Sequence, residues 1–224
     1  MSAWPARNAS PPTLPISQLW QSDDPRQWAE ALEYYWAFVK PENMNLEKSL
    51  QVLEPSRIRA MDPHQWYAFL RDDYFRWKYT QPNRYASTTK LLRFYEEHGQ
   101  LASLDVIRGE LLALDVHNIR LGLETARQIR GLGVGGSSGL LALMYPAYFG
   151  TVDQFVVKAL CGVPNLPDAA ELDRMKPESL RPDQGVTLIN ILRRKAADNN
   201  RTLNTATWTP RKIDMILWTY GRSS

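Results

Sequence analysis

Residues 131–136 read Gly-Leu-Gly-Val-Gly-Gly and run on as Ser-Ser-Gly-Leu-Leu-Ala-Leu, and further along FGTVDQF sets one carboxylate, Asp153, in a short connection. Glycines permit positive φ and leave the backbone bare. The first amides of a helix have no intrahelical acceptor, so a helix opening behind such a turn offers N–H groups to an anion, phosphate above all. A carboxylate near that anion site can stabilise a developing cation and activate water. The simpler use of Asp153, or of Thr151, is to cap the apolar helix QFVVKAL that follows. The two uses are compatible.

Aromatics and amides concentrate in WYAFLRDDYFRWKYTQPNRY, residues 66–85. Its second half departs from helical periodicity and contains Pro82, which predicts a loop carrying Trp77, Lys78, Tyr79, Gln81, Asn83 and Arg84. Planar faces beside polar groups suit a flat heterocyclic ligand, whereas Trp66, Phe69 and Leu70 fit a core stripe. His64, His98 and His117 stand at no metal-ligand spacing, and Asp72 and Asp73 point apart on adjacent helical positions. Arg193, Arg194, Lys195, Arg211 and Lys212 are equally a phosphate-contacting set or an ordinary solvated face.

The elements that must position these groups are helical. Asp24-Pro25, Asp62-Pro63 and Thr209-Pro210 each place a capping side chain before a proline at the first helical position. Further windows run over about 45–53, 84–97, 101–114, 117–130, 137–148, 154–161 and 184–199. No sustained period-two alternation bounded by hairpin turns is present, so the class is all-α.

At 224 residues with 44% apolar side chains and eight tryptophans, the chain is long and apolar enough to build a core without metal or disulfide. A single cysteine, Cys161, excludes a disulfide framework and a cysteine-rich metal site. The proline-rich start, residues 1–20, reads as a flexible arm without a signal sequence, followed by one helical domain over 21–224. No run reaches membrane-spanning length, which predicts a cytoplasmic protein. Net charge is only +3, but from Val186 onward seven Lys or Arg face two acids, an asymmetry compatible with a polyanionic partner.

GLGVGGSSGLLAL and FGTVDQFVVKAL together resemble the helix-hairpin-helix DNA glycosylases. Members of that family typically carry a Leu-Pro-Gly-Val-Gly hairpin and, one helix later, an aspartate opening the next helix. The match lies at Gly133, Val134, Gly135, Val152 and Asp153 and covers about residues 118–161; Gly131 and Leu132 stand where the family has leucine and proline. The resemblance implies a hairpin over 118–148, between two closely packed helical lobes. It implies phosphate contacts at Gly133, Gly135, Gly136, Ser137 and Ser138, and a catalytic Asp153 that assists departure of a flipped-out base. Trp77, Lys78, Tyr79, Gln81, Asn83 and Arg84 would then shape the base pocket. Strand-cutting members have a lysine near the start of the second hairpin helix, where this chain has Ser137 and Ser138. The implied enzyme is therefore a monofunctional DNA hydrolase for damaged or mismatched bases. It needs no cofactor and no metal, acts as a monomer, and is nucleoid-associated if the source is bacterial. Two alternatives stay open, a non-catalytic DNA-binding module and a helical protein-interaction scaffold. The lesion recognised is not encoded in any motif.

Overall fold

The computed structural model describes residues 14–223, and its regular structure is helical over 69% of the chain, with no strands among the described residues. Proline punctuation sets several boundaries. Helix α2 (Pro25–Phe38) is capped by Asp24, which accepts the Arg26 amide at 2.9 Å. Helix α5 (Pro63–Ala68) opens with a reciprocal capping box, the Gln65 amide donating to Asp62 at 2.8 Å and the Asp62 amide to Gln65 Oε1 at 2.9 Å. Short helices α1 (Ile16–Leu19), α3 (Met44–Gln51) and α4 (Pro55–Arg59) complete the first third. Leu19 is buried, and the Trp20 carbonyl accepts Lys195 Nζ at 2.5 Å. Residues 14–20, expected in the arm, are thus packed on the body because Leu19 finds the core; residues 1–13 lie outside the described range.

The stretch rich in aromatics departs from expectation. After α5 the chain takes a π-helical course over Phe69–Tyr74, then returns to α-helix in α6 (Phe75–Lys78). Helix α7 (Pro82–Glu97) follows after three residues. Trp77 and Lys78 therefore close one helix and Asn83 and Arg84 open the next, instead of forming one loop. Pro82 acts as a helix starter, since its missing N–H costs nothing in the first turn. A π turn takes in an extra residue and rotates what comes after it relative to a continuous α-helix; here it aims Tyr74, Trp77 and Lys78 at a neighbouring helix.

Helices α8 (Leu101–Leu112) and α9 (Ile119–Arg127) lead through the turn 128–133 into α10 (Val134–Met144). α10 is buried on every side from Gly136 to Met144, whereas Gly133 at its head is exposed. Only the amino end of this central helix reaches the surface. Helix α11 (Gln154–Cys161), short α12 (Ala169–Leu172), α13 (Pro182–Thr202) and α14 (Pro210–Ser223) close around it. Trp28, Trp66, Tyr74, Phe75 and Phe149 are the bulkiest fully buried side chains, and Trp28 meets Trp208 edge to face at 5.6 Å. Large aromatics at the centre of one continuous core supply much of the burial that holds so many short helices together.

Candidate functional site

Gly133 is the N-cap of α10, in extended backbone (φ −85°, ψ −171°), and no side chain among the described residues caps the helix. The first helical bond runs from the Ser137 amide to the Gly133 carbonyl at 2.8 Å. The amides of Val134, Gly135 and Gly136 precede it and have, by helix geometry, no intrahelical acceptor. A Cβ at Gly135 would lie 3.1 Å from the Val152 carbonyl oxygen and 3.8 Å from the Asp153 Cβ, so the aspartate connection runs directly against the head of α10. The glycine turn and the connection that carries Asp153 are neighbours in space.

Asp153 caps α11, one oxygen accepting from the amides of Phe155 at 3.0 Å and Val156 at 3.4 Å. Its other oxygen meets Lys78 Nζ at 3.2 Å, with both side chains mostly buried. The lysine arrives from α6 across a floor of glycine: a Cβ at Gly139 would sit 2.9 Å from the Tyr74 hydroxyl, 3.4 Å from the Trp77 ring and 3.5 Å from Lys78 Cδ. Glycine lets α6 lie this close to α10. Tyr74 donates to the Gly136 carbonyl and Tyr79 donates to the Gly131 carbonyl at 3.0 Å, fixing α6 to both sides of the turn.

Behind the pair lies a buried polar network. The Thr151 amide donates to Asp214 Oδ2 at 2.6 Å, and Arg211 bridges Asp214 at 2.6 Å and Glu47 at 3.4 Å. Glu47 also accepts from Tyr35 at 2.7 Å, from Gln51 at 2.8 Å and from the Trp77 indole. Both walls of the site, the Asp153 connection and the end of α6, are thereby anchored to one arginine. Three carboxylates (Glu47, Asp153, Asp214) face two cations (Arg211, Lys78). Burial pushes the Asp214 carboxyl up to about 7, against the pull of Arg211 and the Thr151 amide and with the help of the Asp153 charge.

The other residues expected at the site lie in differing surroundings. Ser137 and Ser138 are fully buried and present no hydroxyl to a ligand. Ser138 instead donates to the Gly135 carbonyl at 3.1 Å and accepts the Val152 amide at 3.0 Å, tying the aspartate connection to α10. Gly136 is buried beneath the Tyr79 hydroxyl, leaving Gly133 and Gly135 as the accessible glycines at the helix head. Of the base-pocket set, Tyr79 is in the core, Trp77 is tied to Glu47 and Lys78 to Asp153, while Gln81, Asn83 and Arg84 are exposed at the start of α7.

The basic carboxy-terminal segment is mostly engaged within the fold. Arg193 donates to the carbonyls of Tyr148 and Val116, Arg194 pairs with Asp168, Lys195 lies 4.8 Å over the Trp28 ring, Arg211 is buried, and Lys212 donates to the Thr207 carbonyl. Asp214 and Glu47 escape a reading from sequence; the available signal is a carboxylate beside the stripe Ile213, Ile216 and Leu217 that builds the core. No group of three or more His, Cys, Asp or Glu side chains that could hold a metal ion occurs among the described residues, and no helix there is long and apolar enough to cross a membrane. Comparison of the chain with protein-family models, with curated proteins and with solved structures gives no match.

Proposed function

We propose that this chain is a DNA glycosylase of the helix-hairpin-helix type that extrudes a damaged or mismatched base and cleaves its N-glycosidic bond. The carrying observation is that the Asp153 connection runs against the bare head of α10, where a Cβ added at Gly135 would lie 3.8 Å from the Asp153 Cβ. In this reading α9, the turn and α10 form the hairpin, and the amides at Gly133, Val134 and Gly135 hold a backbone phosphate on the positive end of the α10 dipole. Asp153, kept rigid by its two capping bonds, faces the sugar, where positive charge builds as the base leaves.

One observation favours a variant of this chemistry over plain hydrolysis. Lys78 delivers an amine to Asp153 at 3.2 Å from a helix remote in sequence, replacing the lysine absent from the hairpin itself. With its ammonium proton given up to the departing base, the freed amine would attack C1′, forming a C–N bond while the glycosidic bond breaks and its electrons leave on the base. The nitrogen then passes one proton to Asp153, and the C1′–O4′ bond breaks as that proton is returned to O4′, leaving a protonated imine. A single experiment addresses both readings. Asp153→Asn retains a good N-cap, so base release from duplexes carrying deaminated, oxidised or alkylated bases is expected to fall about 10²–10³-fold with DNA affinity unchanged. Borohydride added during turnover traps the imine as a covalent protein–DNA adduct, absent from Lys78→Met. Release without an adduct assigns the hydrolytic route. Affinity for DNA without release by the wild type on any lesion removes the enzyme and leaves a DNA-binding module.

A further inference from the structure

The turn that leads into α10 also borders a second feature. Along α7 an open cleft of about 650 Å³ runs against Arg130, lined by Lys90, Leu91, Arg93, Phe94 and Glu97 among others. Three cations thus face one acid. Among the described residues none of the three makes an ion pair, in contrast to the paired or buried bases of the carboxy-terminal segment.

The cleft is held in shape. Arg130 lies 3.7 Å over the centre of the Phe94 ring, and His98 stacks on that ring at 4.0 Å. Two groups so close to one ring centre must occupy opposite faces, so the guanidinium caps a three-layer stack and keeps its outer face toward solvent. The backbone beneath is equally fixed: Tyr95 donates to the Gln128 carbonyl at 2.9 Å and accepts the Arg130 amide at 3.3 Å. Gly131, at φ +93°, is pressed so close to α7 that a Cβ would lie 2.7 Å from the Thr88 carbonyl oxygen. Leu91, 52% exposed, adds an apolar surface at the rim.

We propose that this cleft is a second nucleic-acid subsite, in which the strand held at the head of α10 continues over α7. Its phosphates lie against Lys90, Arg93 and Arg130, and a sugar or base face rests on Leu91 and the outer plane of the Arg130 guanidinium. The inference rests on the DNA reading of the site. Three features select a polynucleotide. The unneutralised cations ask for a polyanion. The planar guanidinium offers a stacking face that a flexible acidic chain does not use. Arg130 is three residues from Gly133, at most about 11 Å along the chain, which a duplex strand covers in about three nucleotides at 3.4 Å each.

The test is the salt dependence of binding by the full chain to a fluorescent duplex containing a tetrahydrofuran abasic-site analogue. For Lys90→Ala/Arg93→Ala, both surface changes, the slope of log K against log salt is expected to shrink by about 2, and for Arg130→Ala by about 1. Steep wild-type binding with unchanged slopes in the variants overturns the cleft and leaves the α10 site standing. Absence of any wild-type binding at low salt overturns both. Displacement of the duplex by polyglutamate at equal charge concentration assigns the cleft to acidic peptides instead and likewise overturns the proposal.

Discussion

Ser137 and Ser138 are adjacent, identical in type and equally buried, yet only one is built into the site. Ser138 bridges the Gly135 carbonyl and the Val152 amide, while the Ser137 hydroxyl meets no hydrogen-bond partner among the described residues. Removing Ser138 Oγ leaves a buried N–H without an acceptor, a loss of about 1–3 kcal/mol. Replacing Ser137 by alanine removes a hydroxyl that is already unsatisfied. Ser138→Ala is therefore expected to lower the urea midpoint distinctly and Ser137→Ala to leave it level or raise it slightly, with the slope m unchanged in both. Equal midpoints for the two variants would contradict this division. The sequence made the glycine turn and Asp153 visible because each is a local signal, a run of glycines and a capping carboxylate before an apolar helix. It could not separate the two serines, since which hydroxyl meets Val152 depends on how α10 is rotated against a connection more than ten residues away.

At the scale of elements, the capping side chains (Asp24, Asp62, Thr209) and prolines that open α2, α5 and α14 were legible because caps act within four residues. The Lys78–Asp153 pair was not. It spans 75 positions and depends on the π course of residues 69–74, which breaks the 3.6-residue period by which a helical face is read from sequence. α11 and α14 present a comparable long-range fit. At Gly221 a Cβ would lie 1.9 Å from the Phe155 carbonyl oxygen, a main-chain atom two residues beyond Asp153. Backbone cannot swing aside as a side chain can. Gly221→Ala must separate the two helices, and its cost is expected to reach or pass the upper end of the about 1–3 kcal/mol typical of overpacking. Chemical denaturation measures it, and Gly109→Ala in α8, where a Cβ meets nothing within 4 Å, is the control expected to be neutral or stabilising. Matching losses in the two variants would mean that α11 and α14 do not approach as described.

Across the whole molecule, one buried network joins α2 through Tyr35, α3 through Glu47, α6 through Trp77, the Asp153 connection through Thr151, and α14 through Arg211 and Asp214. With three carboxylates against two cations it carries one excess negative charge, and burial raises Asp214 to about 7 in answer. An aspartate in the unfolded chain titrates near about 3.9. Between those limits the folded protein holds a proton that the unfolded chain has released. This group's contribution to stability is thus fully present below about pH 4, declines as pH rises, and is lost above about pH 7. The slope approaches about 1.4 kcal/mol per pH unit for one whole proton. Asp214→Asn removes the titrating group while keeping its shape. The variant is expected to be less stable overall, because the new amide N–H₂ faces Arg211 or the Thr151 amide. The difference in stability between wild type and variant should narrow steadily from about pH 4.5 to about pH 7 and then level off. Urea midpoints measured across that range for both proteins decide it: parallel pH profiles would show that Asp214 is ionised throughout, and that the excess charge resides on another member of the network.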